Sequence, residues 1–166
     1  MAQLPIDIND NISAILSKYS DLVRRICFLY LHNSADVDDV FQEVFLKLLQ
    51  NNSRFESAEH EKAWLIRVTI NKCKDILKSF WRKKIVSIES VELPFEDQTD
   101  NELLLVVLSL PDKYKDVIYL FYYEEYTVPE MAQLLNKKAN TIYSHLHRAR
   151  ELIKQKLGGK EHDYTL

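Results

Sequence analysis

Glycine is nearly absent from this chain: among 166 residues it stands only at Gly158 and Gly159, close to the end, and the prolines are Pro5, Pro94, Pro111 and Pro129. Tight hairpin turns need positive φ, which glycine supplies at least cost, so a sheet protein would have almost nothing to make its corners from. The chain is therefore expected to be all-α. An apolar content of 46% is enough to build one ordinary core or two small helical ones.

Hydrophobic periodicity locates the helices. Ile12, Ile15, Leu16, Tyr19, Leu22, Val23, Ile26, Cys27 and Tyr30 recur at spacings of three and four, as do Val37, Val40, Phe41, Val44, Phe45, Leu48 and Leu49. On the second of these helices Asp36, Asp39, Glu43 and Lys47 line the opposite side. The polar run 51–54 reads as a loop, and a third helix is expected from about Glu59 to Lys84. Residues 87–101 (SIESVELPFEDQTDN) are acidic, contain a proline and lack a helical period, which marks an interdomain linker. The expected organisation is a first domain at 1–86, the linker at 87–101 and a second domain at 102–166. Within the second, helices are expected at about 101–109, 112–125, 128–135 and 140–157, with Pro111 at a first-turn position.

The stretch TVPEMAQLLNKKANTIYSHL (127–146) meets several separate requirements of a helix-turn-helix. Thr127 and Glu130 form a capping box, Pro129 is tolerated in a first turn, and Ala132 is small where a second helix must cross the first. Asn136 falls at the tight turn, where a residue that accepts positive φ is wanted. Ile142, Leu146, Ala149, Ile153 and Leu157 then form one face of the following helix. Its exposed side presents Tyr143, Ser144, His147 and, toward one edge, Arg148, donors and acceptors suited to a groove, with Thr141 nearer the helix start. Arg150, Lys154, Lys137 and Lys138 are placed for phosphates. The alternative reading of this segment alone is an ordinary helical hairpin with a solvated basic face, against which the cap, the small crossing residue and the turn each constrain a different position.

A net charge of −3 looks wrong for a nucleic-acid binder until its distribution is read. Residues 54–86 hold 9 basic and 4 acidic side chains, and residues 127–160 hold 7 and 2, each net +5; residues 87–103 hold 6 acidic and no basic ones. Two basic patches are thus masked by acidic segments. In the first, Arg67, Asn71, Lys74, Lys78 and Arg82 step along one stripe with Trp64 near its start, opposite an apolar stripe of Ile66, Ile70, Cys73, Leu77 and Phe80. Cations beside an aromatic ring suit backbone tracking and base stacking on single-stranded nucleic acid; the alternative is a solvated charged face with Trp64 in the core.

Other classes find little support. There is no glycine-rich phosphate loop, no nucleophile beside a base and no metal-spaced cluster, so neither an enzyme, a cofactor nor a metal site is expected. His145 and His147, two apart on a helix, point in different directions. Cys27 and Cys73 lack a C-x-x-C partner and read as small buried hydrophobes. No apolar run approaches the roughly 20 residues that span a bilayer, and the N-terminus is acidic where a signal peptide is basic, so no membrane insertion and a cytoplasmic location are expected.

Together these segments resemble the extracytoplasmic-function (ECF) group of the sigma-70 family, over roughly residues 12–157. DVDDVFQEVFLKL (36–48) is similar to the family's core-polymerase-binding helix and AWLIRVTINKCKDILKSFWRKK (63–84) to its promoter-melting segment. LPDKYKDVIYLFYYEEYTVPEMAQLLNKKANTIYSHLHRAR (110–150) is similar to its fourth conserved region. The resemblance implies a sigma factor that binds core RNA polymerase and directs promoter-specific initiation. The first domain, as region 2, would open the minus-ten element, and the second, as region 4, would read the minus-thirty-five element.

By the same resemblance Asp36, Asp39, Gln42 and Glu43 face the polymerase. Arg54 and Phe55 belong to a loop that captures a base flipped from the non-template strand. Trp64, Arg67, Asn71, Lys74, Lys78 and Arg82 hold adjoining promoter DNA, while Thr141, Tyr143, Ser144, His147, Arg148 and Arg150 read the duplex. The linker would thread the polymerase's RNA path, and an anti-sigma factor is a further partner that the resemblance admits. The chain departs from the family pattern at Asn136 for a turn glycine, Lys137 for an apolar residue, Tyr143 for a lysine and His145 for an arginine. The rival reading is a stand-alone helix-turn-helix regulator of duplex DNA, which would leave the acidic helix at 36–48 and the basic helix at 62–84 without a task.

Overall fold

The computed structural model describes residues 4–51, 55–83 and 101–158, with side chains described over 11–51, 55–79 and 103–158. The acidic linker at 87–100, Arg54 and the side chains of Phe80 and Arg82 lie outside the described residues. Every regular element among those described is helical, and the chain divides into two compact units, Met1–Pro94 and Phe95–Leu166.

The first unit contains α1 (Leu4–Tyr30), α2 (Ser34–Gln50) and α3 (Ala58–Lys83), each packed on the other two. Their apolar stripes meet in one core of Val23, Ile26 and Cys27 from α1, Val37, Val40 and Val44 from α2, and Leu65, Ile66, Ile70 and Cys73 from α3. Full burial of such side chains stabilises by roughly 1.5–3 kcal/mol each for the larger ones, enough to hold three amphipathic helices together. Both cysteines are buried and unbridged, as expected of small hydrophobes. Thr69 is also buried, and its hydroxyl donates to the Leu65 carbonyl at 2.7 Å, so this buried hydroxyl is satisfied.

The second helix is capped by Asn33, whose side-chain oxygen accepts from the Asp36 amide at 2.8 Å while its Nδ2 donates to the Asp36 carboxylate at 2.6 Å. Arg24 ties α1 to α2, lying 4.4 Å from the Phe41 ring centroid and 3.3 Å from Asp38. Leu49, expected on the apolar face of α2, is 43% exposed, because three-helix packing covers a narrower arc than the sequence stripe.

The second unit contains α4 (Asn101–Leu108), α5 (Asp112–Ile118), a π-helical turn (Tyr119–Tyr123), α6 (Val128–Leu135) and α7 (Ala139–Lys156). Pro111 sits one residue before the first turn of α5, as its cap, with its carbonyl accepting from the amides of Tyr114 and Lys115. The helix expected to run to residue 125 instead widens at Tyr119: the Glu124 amide reaches the Tyr119 carbonyl five residues back, and Tyr119 and Tyr123 stack with centroids 5.6 Å apart. Glu125 at φ 57° then turns the chain toward α6. A period count cannot see a π turn, because one extra residue per turn leaves the local apolar pattern almost unchanged.

The helix-turn-helix forms as its sequence requires. The Thr127 amide donates to Glu130 at 2.7 Å and the Glu130 amide to the Thr127 hydroxyl at 3.4 Å. Hydrogen bonding from Thr127, its backbone amide first and its side chain second, holds the Glu130 carboxyl below the usual carboxylate range. Asn136 takes the left-handed conformation, φ 53° and ψ 51°, and the Lys137 amide closes the turn on the Ala132 carbonyl at 2.9 Å. Ile142, Leu146, Ala149, Ile153 and Leu157 are all buried, fixing which side of α7 faces out. Beneath them α5 buries Lys115 and Asp116. Burial pushes the Asp116 carboxyl up to about 7 against the opposing attraction of Lys137, and pushes Lys115 down despite Asp112 at 3.7 Å.

Candidate nucleic-acid interface

Once the buried stripe of α7 is fixed, its outward residues follow. Tyr143 is 59% exposed, Ser144, His147 and Arg148 are exposed, and Thr141 is half-buried. The Ser144 hydroxyl donates to the Asn140 carbonyl at 3.0 Å, which leaves its oxygen lone pairs facing outward as acceptors. Glu151 gathers two of these outward side chains at once, with His147 Nε2 and Arg148 Nη1 each 3.3 Å away.

Arg150 differs from its neighbours. Its Nε donates to the Tyr122 hydroxyl at 2.7 Å, and its guanidinium lies 5.5 and 5.7 Å from the Phe121 and Tyr122 ring centroids. The expected phosphate contact has thus become, in the unbound chain, a clasp between α7 and the π turn. His145 also turns inward, edge-on to Tyr114 at 5.5 Å.

On α3 the sequence stripe is a physical stripe. Arg67, Asn71 and Lys78 are exposed, Lys74 is half-buried, and Trp64 is half-buried with its ring 5.5 Å from Phe55. Phe55 meets His60 edge-on at the same distance. Trp64 is thus neither fully core nor fully displayed, and it props Phe55 at the head of the basic stripe. Neither Arg67 nor Lys78 forms an ion pair among the described residues, so both charges are open to phosphates.

The outward face of α2 carries Asp39, Gln42 and Glu43, exposed and in register, with Leu46 at 54% exposure following them. Asp36 is half-buried and occupied with Asn33, so it belongs to the helix cap more than to this face. Glu43 pairs with Lys72 of α3 at 3.0 Å.

Comparison with known proteins joins these surfaces. The sigma-70 region 2 family matches residues 15–83, and the sigma-70 region 4 family matches residues 100–153. The chain belongs to the ECF group of the sigma-70 family. The ECF RNA polymerase sigma factor SigW of Bacillus subtilis (strain 168) is 25% identical over 167 residues, covering 89% of each chain. The sigma factor SigV of the same organism is 26% identical over 137 residues, covering 80% of this chain and 82% of its own.

The fold is shared with the sigma factor RpoE crystallised with the anti-sigma factor NepR from Bartonella quintana. That structure gives a TM-score of 0.74 at 16% identity and covers 91% of this sigma factor and 99% of its own chain. CnrH, solved with the cytosolic domain of CnrY, gives 0.62 at 20% identity, covering 92% and 91%. This sigma factor directs promoter-specific transcription initiation, the function of its family, which is not a class of enzymes. No helix among the described residues is long and apolar enough to cross a membrane.

Sequence reading missed several residues around these surfaces. Tyr122, the anchor of Arg150, lies 28 positions from it and carries no local signal. Leu46 could have been found as an apolar residue off the core stripe of α2. Tyr19 and Glu61, from α1 and α3, are joined by a hydrogen bond of 2.6 Å that only tertiary packing creates.

Proposed function

We propose that this sigma factor divides initiation between its two units. The first binds core RNA polymerase through Asp39, Gln42 and Glu43 around Leu46, with Asp36 supporting the helix. It opens the minus-ten element with Phe55, Trp64, Arg67, Asn71, Lys74 and Lys78, joined by Arg54 and Arg82. The second reads the minus-thirty-five element with Thr141, Tyr143, Ser144, His147 and Arg148. Arg150 sets the stance of α7, and it reaches phosphate only by leaving Tyr122.

The observation that carries this reading is the presence of two rows of opposite charge on separate helices of one three-helix unit. An acidic row stands on α2, and a basic row beside two aromatic rings runs along α3. Holding a base out of the stack costs a few kcal/mol, which stacking and phosphate contacts offset without any hydrolysis. The domain assignment is 1–86 for region 2 and 102–166 for region 4, joined by the acidic stretch 87–101, and the working location is the cytoplasm. RpoE was solved with the anti-sigma factor NepR and CnrH with the cytosolic domain of CnrY, and an anti-sigma factor is proposed for this chain on the first likeness.

The test is run-off transcription with purified core polymerase, with and without this chain, on fragments of its own genome. Asp39→Arg with Glu43→Arg is expected to weaken polymerase binding. Lys78→Ala with Arg82→Ala is expected to spare that binding and impair opening. Equal loss of both activities in both folded variants would overturn the division of faces. Tight duplex binding by the chain alone, with no stimulated initiation on any template, would return the reading to a stand-alone regulator.

A further inference from the structure

The acidic residues of α2 are answered one by one. Asp36 is held by its cap, Asn33, and Asp38 lies 3.3 Å from Arg24 of α1. Glu43 Oε2 lies 3.0 Å from Lys72 Nζ of α3. Asp39, unlike the other three, forms no hydrogen bond or ion pair among the described residues.

The partner of Glu43 is not the one its own helix offers. Lys47 stands four residues further along α2, the favoured order for a carboxylate and an ammonium on one helix, yet Glu43 pairs across to α3. Lys72 in turn stands off the basic stripe, roughly 100° round α3 from Asn71 and roughly 140° from Arg67 at the ordinary helical pitch. Its side chain is 31% exposed and that of Glu43 is 58%. A lysine covered to this degree packs its stem on the neighbouring helix and keeps its ammonium at the rim. The carboxylate it meets there stays open to a second cation arriving from outside.

We infer that Lys72 is a positioning residue that lowers the affinity for polymerase by competing with it for Glu43. This rests on the reading that the outward face of α2 binds polymerase, and it adds what opposes that binding. Asp39, already unpaired, steers the encounter with a basic surface, and Glu43 joins by exchanging one cationic partner for another. Charge balances in the exchange, since Glu43 keeps a cation and the Lys72 ammonium returns to water. The affinity falls in proportion to the fraction of chains whose Glu43 is free of Lys72. Because pairs this exposed are weak, the competition tunes binding without preventing it.

The experiment measures the affinity of the full chain for purified core polymerase by biolayer interferometry, with circular dichroism melting of each variant. Lys72→Met keeps the apolar stem and removes the ammonium, and is expected to tighten binding about two- to fivefold. A lysine that only tied α2 to α3 would give the opposite sign. In a Glu43→Gln background the same substitution is expected to bring no gain, since no carboxylate remains to be withheld. Lys72→Arg keeps the charge and the reach, and is expected to bind as wild type does. Holoenzyme assembled with Lys72→Met is expected to bind forked promoter DNA as wild type does, because Lys72 stands off the stripe.

Unchanged or weaker polymerase binding by folded Lys72→Met would overturn the inference, with Lys72→Gln as the second variant should the first unfold. An equal gain in the Glu43→Gln background would overturn it too, by showing an effect of net charge alone. Loss of forked-template affinity at unchanged polymerase affinity would instead make Lys72 a DNA contact, against the inference. Asp39→Arg is the control for the face itself: if it binds polymerase as wild type does, the reading of α2 fails, whatever Lys72 does.

Discussion

The two basic helices of this sigma factor, α3 and α7, carry the same kind of charge and hold it differently. On α3, Arg67 and Lys78 extend from the surface with no partner among the described residues. On α7, His147 and Arg148 are gathered by Glu151 and Arg150 is clasped by Tyr122. Open cations suit a surface that must grip a flexible strand whatever its sequence, because counterion release needs charge more than geometry. Tethered side chains suit a surface that discriminates, because a reading residue held in one rotamer loses less entropy when it meets the right base edge.

The buried polar groups repeat the contrast: the first unit buries Thr69, satisfied by its own helix, whereas the second buries Lys115 and Asp116 on α5, which packs against α7.

That last difference predicts the largest effect. Asp116 has an ordinary value of 3.8 when unfolded and keeps its proton up to about 7 in the folded unit. Between those values the folded state binds the extra proton, so this contribution favours folding at acid pH and is lost as pH rises through about 7. Asp116→Asn should stabilise the second unit at pH 8 relative to wild type, by a few kcal/mol at most, and flatten its pH dependence. Hydrogen exchange of α5 and α7 amides against those of α1 and α3 measures it; equal pH response of both units, unaltered by the substitution, would remove this half of the comparison.

Next is Arg67→Ala with Lys78→Ala, which should cut open-complex formation by about tenfold or more and lower the salt slope of single-strand binding by about 1.4. The loss should be nearly independent of promoter sequence. Arg148→Ala should instead shift discrimination by about 1–3 kcal/mol at one duplex position, seen by competition between operator variants, with a small change in salt slope. Should both variants lose affinity uniformly across sequences, the distinction between grip and reader fails.

Two smaller effects sharpen it. Thr127→Ala removes half of the capping box and should cost about 1 kcal/mol of second-unit stability by thermal melting. Glu151→Gln releases His147 and Arg148 and should raise affinity for unrelated duplex about two- to threefold, since exposed pairs are worth no more than about 1 kcal/mol. Specific binding should rise less, narrowing the ratio. A wider ratio would mean that Glu151 opposes reading instead of ordering it.

Much of the fold was legible because it rests on local chemistry. Thr127, Glu130 and Asn136 announce a helix start and a left-handed turn whatever surrounds them, and the spacing of Ile142, Leu146, Ala149 and Ile153 fixes a buried face. The stripe of α3 was legible for the same reason, since residues three and four apart on a helix are neighbours by geometry. The widening at Tyr119 was not, nor was the exposure of Leu49, because both depend on what packs opposite.

The sequence by itself determined an all-helical chain, two clusters of positive charge and the outward face of α7, since periodicity, capping and turn chemistry act within a few residues. Tertiary structure alone decided which of those charges are available. Arg150 is committed to Tyr122 across 28 residues, Asp36 is drawn into a cap, and Glu61 is aimed by Tyr19 across 42 residues. A side chain's charge is a property of its residue. Its direction and its partners belong to whatever the fold brings within hydrogen-bond reach, and no spacing along the chain encodes that.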